Sequence, residues 1–100
     1  MQENTICMKD IIKFVSNNIK VVIDRGDKFH LETTSLYKII ENLSKDKGYE
    51  KETIISNFLL CCKYRYIESN TFSNDLSAST SFVKCIVTDV TDIGLQFMNN

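Results

Sequence analysis

The sequence predicts a small α+β domain: a three-helix core, a two- to three-stranded antiparallel sheet and a short C-terminal helix. Three observations predict it. Apolar residues recur at helical spacing in three separate stretches, β-branched and aromatic runs sit between and after those stretches, and Gly26 and Gly48 fall at joints between them. With 100 residues, 43% of them hydrophobic and 25% charged, the chain has material for one core only. Residues 1–100 are therefore read as a single domain.

From Cys7 to Lys20, Met8, Ile12, Val15 and Ile19 recur at i, i+4, i+7 and i+11, and Ile11 and Phe14 widen the same stripe. This spacing predicts an amphipathic helix. Val21, Val22 and Ile23 then meet the turn-forming Asp24, Gly26 and Asp27 before Phe29 and Leu31 alternate with polar neighbours, as a short strand or loose hairpin would. Thr33, Thr34 and Ser35 offer capping hydroxyls ahead of Leu36, Ile39, Ile40 and Leu43, which predict a second helix running to about Asp46. Gly48 suits a left-handed helix cap.

A third stripe, Ile54, Ile55, Phe58, Leu59 and Cys62, begins almost at once, so two helices are separated by a tight glycine turn. Tyr64 to Ser69 has strand composition, and Phe82 to Val90 alternates well enough to be its antiparallel partner. The serine-rich stretch from Asn70 to Ser81 is a polar tip between them. After the last strand, Thr91 can cap a final helix in which Gly94 permits a close backbone approach, with Leu95, Phe97 and Met98 closing the core.

The element order, helix, strand, helix, turn, helix, strand, tip, strand, is that of a small winged helix-turn-helix domain. From Gly48 onward the resemblance is more specific. The segment GYEKETIISNFLLCCKYRYI, residues 48–67, resembles a Gly-Tyr, acidic, apolar-helix, Gly-Leu-Ile pattern, and VTDVTDIGLQFM resembles a Leu/Ile-Thr-x-x-Gly-x-x-Phe-Leu ending. Both patterns occur in phage and prophage winged-helix proteins resembling domain-of-unknown-function family 2513. The sequence departs from that pattern twice: Arg65 stands where the family usually has glycine, and Asn57 where many members have histidine.

Bulk charge limits the functions available. Twelve Lys and Arg against thirteen Asp and Glu give a net charge of -1, so no overall field draws the protein onto phosphate or anionic lipid. Neither a signal peptide nor a stretch of about 20 apolar residues is present, which predicts a cytoplasmic protein of a bacterial host cell, with no membrane contact. The four cysteines, Cys7, Cys61, Cys62 and Cys85, lack the paired spacing of zinc knuckles and are expected to be thiols, with no metal and no cofactor. Cys62 is expected in the core and Cys61 at its edge. One histidine, His30, and scattered carboxylates assemble no nucleophile with a base, so no enzyme is expected.

Two functions compete for the third helix. On an ideal helix the face opposite its apolar stripe carries Thr53, Ser56, Asn57, Leu60 and Tyr64, with no basic residue at its centre. Leu60, Tyr64, Thr53 and Ser56 predict a protein-binding face for a protein partner or a second copy in a homodimer. The Lys-, Ile- and Asn-rich composition without proline suggests a low-GC bacterial host or its phage, and small phage proteins often disarm host machinery, so an inhibitor of a host defence protein is expected. The alternative is a transcriptional regulator binding duplex DNA, with Lys51 and Lys63 on phosphates and Asn57 and Ser56 reading base edges.

Overall fold

The computed structural model describes residues 3–23, 29–70 and 85–100; side chains are described outside 20–23 and 29–32. The expected turn at Asp24, Gly26 and Asp27, the side chain of His30, the tip beyond Asn70 and the strand start at Phe82 lie outside those residues. The described chain is α+β, with four helices and two antiparallel strand pairs.

Helix α1 runs from Thr5 to Asn18, two residues earlier than the apolar stripe alone implies. The reason is its cap: the Asn4 side chain accepts from the Cys7 N–H at 3.0 Å and starts the helix ahead of its first buried residue. Strands β1 (Lys20–Ile23) and β2 (Phe29–Glu32) follow as an antiparallel pair with Val21 opposite Leu31.

Helix α2 (Leu36–Lys47) starts at Ser35, whose hydroxyl accepts from the Lys38 N–H, and ends at Gly48 with φ +73°. Lys45 and Lys47 in its last turn complement the negative end of the helix. Helix α3 (Lys51–Lys63) follows after three residues. The turn between them is tied down by Tyr49, whose hydroxyl donates to Asp10 of α1 at 2.7 Å.

The strand expected from Tyr64 begins three residues later, because α3 continues to Lys63 and residues 64–66 close it. The Arg65 N–H donates to Cys62 O and the Tyr66 N–H to Cys61 O, the paired bonds of a Schellman cap. That cap needs a left-handed residue, and Arg65 supplies it with φ +61°. Strand β3 is therefore Ile67–Ser69, paired antiparallel with β4 (Val87–Val90) through a register irregularity at Glu68/Ser69. A bridge between Ser35 and Ile86 extends the pairing to the segment before α2, where Val87 N–H donates to Thr34 O and Leu36 N–H to Cys85 O.

Helix α4 (Asp92–Asn99) begins as expected at Thr91, whose hydroxyl oxygen accepts from the Gly94 N–H at 3.0 Å. The same oxygen lies 2.6 Å from Arg65 O and 3.1 Å from Tyr66 O, and the Thr91 N–H donates to Tyr66 O. Gly94 sits directly on that peptide: a Cβ built there overlaps the Tyr66 carbonyl oxygen. Phe97 and Met98 pack on the core, Leu95 is half-buried, and the Phe97 ring stacks on Tyr66 with centroids 4.4 Å apart.

The buried residues form one cluster. Cys7, Met8, Ile11, Ile12 and Val15 of α1 meet Leu36, Ile39 and Leu43 of α2, Ile54, Phe58 and Cys61 of α3, and Ile67, Cys85 and Val87 beside the strands.

Gly94→Ala should destabilise the fold although alanine is the better helix former by about 1 kcal/mol. The overlap falls on backbone, which cannot swing aside, so a net loss of about 1–3 kcal/mol is expected in urea unfolding.

Candidate partner-binding face

The buried side of α3 is turned about 100° from the stripe expected of it, one residue back along the chain. Ile54, Asn57, Phe58 and Cys61 are fully buried, whereas Ile55, Leu59 and Cys62 are half-buried. Two expectations are corrected here. Cys61, not Cys62, lies in the core, its thiol directed at Met8 O of α1. Asn57, expected as a base-reading residue, is inaccessible, with 0% of its surface exposed.

The reason is a hydrogen-bonding need at the start of α1. Asn57 Oδ1 accepts from the Asn4 N–H at 2.8 Å, and its Nδ2 donates to Thr53 O one turn earlier, also at 2.8 Å. A backbone donor at the entrance to α1 is thereby satisfied from α3, and the amide is withdrawn from solvent with both ends occupied.

The other predicted residues are accessible to different degrees. Thr53 and Ser56 are half-buried and line an open groove of about 530 Å³ between the start of α1 and the first half of α3. Leu60, one turn beyond Ser56, is half-buried and packs on the core cluster, so it contributes more to packing than to contact. Tyr64 is 41% exposed. Glu3 next to its hydroxyl, first as a hydrogen-bond acceptor and then through its charge, pushes the phenol above its ordinary pKa. Lys51 and Lys63 are both exposed, near opposite ends of α3 and about 18 Å apart along its axis.

Two residues of this face were not foreseen. Ile6 is 69% exposed and lines the groove with Glu3, Glu52, Thr53 and Ser56. Its signal was in the sequence: Ile6 falls off the α1 stripe of Met8, Ile12 and Val15, and an apolar side chain off the stripe faces outward. Glu3 had no such signal, since folding alone brings it to a groove whose other wall is α3.

Cys7, Cys61 and Cys62 carry no activated thiol. Burial, then the nearby Asp10 carboxylate, pushes Cys7 up to about 11, and burial pushes Cys61 up further. Cys62 also rises to about 11 through burial, against a hydrogen bond with Ser69 that acts in the opposite direction. All four are free, and the described residues contain no group of three or more His, Cys, Asp or Glu placed to hold a metal ion. No described helix is long and apolar enough to cross a membrane.

No protein-family model matches this sequence, and neither a curated protein nor a solved structure matches it.

Asn57→Ala should cost about 2–3 kcal/mol, because it strands the Asn4 N–H and leaves a cavity beneath α1. The measurement is the urea midpoint, with loss of hydrogen-exchange protection in the first turn of α1 as the local signature.

The raised thiols also set an alkaline limit. Their folded pKa values exceed the unfolded value of 9.0, so the folded state holds its protons more tightly. Their contribution is complete below about pH 9 and is lost as pH rises towards about 11. The urea midpoint should fall across that window, and fall less steeply in Cys62→Ser.

Proposed function

We propose that this chain is a winged-helix protein of phage or prophage type that binds a partner protein through the α1/α3 face, as an inhibitor of a host defence protein. The observation that carries the binding reading is the exposed Ile6 side chain beside Thr53 and Ser56, an apolar group on a polar surface with only carboxylates as charged neighbours in the groove; Tyr64, at the end of α3, is exposed as well. Support for a winged helix comes from the α2–Gly48–α3 sequence followed by the β3–β4 pair. The Ser35–Ile86 bridge places the segment before α2 beside β4, as a third short strand of a wing sheet would lie.

Duplex DNA is the weaker reading. Phosphate contacts require Lys or Arg along the reading helix, and Lys51 and Lys63 near its ends leave the middle without a cation. Asn57, the side chain suited to adenine, is fully buried.

The two readings separate by mutation. Ile6→Ser with Tyr64→Ser should abolish partner capture and leave the melting temperature within a few degrees, whereas Lys51→Glu with Lys63→Glu should leave capture intact. Fluorescence anisotropy of a labelled duplex should show no salt-dependent binding. Tight binding whose affinity falls steeply with salt, lost in the Lys51→Glu/Lys63→Glu variant, would replace this reading with the regulator.

A further inference from the structure

The groove on the α1/α3 face has a charge balance that specifies what it takes. Two helices, α1 and α3, point their N-terminal ends towards it, and helix N-termini ordinarily favour anions. At the α1 end two donors are already used, the Cys7 N–H by Asn4 and the Asn4 N–H by Asn57, whereas α3 begins without a side-chain cap. Each helix end carries about half a positive charge, so the pair offsets only about one of the two carboxylates lining the groove, Glu3 and Glu52. No Lys or Arg lines it, and among the described residues neither carboxylate has an ion-pair partner.

The remaining negative charge is paired with apolar surface. Ile6 stands 69% exposed on the same groove. A metal ion would leave Ile6 uncovered. A segment with a cationic side chain next to an aliphatic one satisfies both features, the cation between Glu3 and Glu52 and the aliphatic group against Ile6.

We propose that the groove is a docking site for a basic, amphipathic segment of the partner protein, with arginine or lysine seated between Glu3 and Glu52. This rests on the protein-binding reading and goes further in stating the chemistry of the partner.

The test uses the full chain and a labelled amphipathic peptide of arginine and leucine, with the same peptide bearing glutamate for arginine as its control. At physiological salt the basic peptide should bind and the acidic one should not. Amide resonances of Ile6, Thr53 and Ser56 should shift on binding. Glu3→Gln with Glu52→Gln should weaken the complex about tenfold or more, and Ile6→Ser should weaken it at unchanged salt dependence. Equal binding of both peptides, or an unchanged affinity in the double glutamine variant, would overturn the proposal, as would sedimentation showing a homodimer that covers Ile6. If Tyr64→Ser with Ile6→Ser abolishes capture of a host partner while the double glutamine variant still captures it, the cationic docking site is wrong and the protein-binding reading stands. If none of these variants alters capture, both are wrong.

Discussion

Helix α1 packs against each of the other three helices and against β4, and its buried face supplies Cys7, Met8, Ile11, Ile12 and Val15 to the core. Burying a side chain of this size contributes about 1.5–3 kcal/mol, so this surface is the common anchor of the outer helices, with α2 held by α3 as well. A helix so enclosed must have its terminal backbone groups satisfied by its neighbours as well as by water. Asn57 performs that service from inside α3, and Tyr49 holds the α2–α3 turn to Asp10 on another part of α1. The orientation of α3, and with it which residues reach solvent, follows from the demand for a buried amide at position 57.

The second organising point is the peptide around Tyr66. Its N–H closes the end of α3 and its carbonyl receives the Thr91 N–H, while Gly94 packs on it without room for a side chain. The backbone of one residue thus joins the end of α3 to the start of α4. Arg65 holds the left-handed conformation that makes this possible, at about 1–2 kcal/mol for a residue with a Cβ, and the bonded cap offsets it.

Much of this was legible from residue types. Ser35 and Gly48 mark the ends of α2, and Thr91 and Gly94 announce a capped helix pressed against backbone. Each of these depends on local chemistry that a few neighbouring residues declare. Asn57 was misjudged because a polar residue beside an apolar stripe ordinarily faces water, and the donor it satisfies belongs to Asn4, in a different helix start. Cys61 and Cys62 were exchanged for the same reason, since a rotation of one residue cannot be decided between two adjacent thiols. Arg65 was noticed as an exception to a glycine position, yet read as the interior of a strand, because strand composition hid a helix cap. Within the candidate face, Thr53, Ser56 and Tyr64 could be picked out from helical spacing, whereas Glu3 joins it only through folding.

The two strands β3 and β4 are stitched together at their outer end by Asn70, whose N–H donates to Ile86 O while its side chain accepts from the Ile86 N–H. On the other flank of Ile86 the fully buried Cys85 accepts from the Leu36 N–H, and the Val87 N–H donates to Thr34 O. The entrance to β4 is therefore gripped from two sides, by the end of β3 and by the start of α2. Fraying of the pair from this end has to break both sets of bonds together, which ties the opening of the sheet to the loosening of α2.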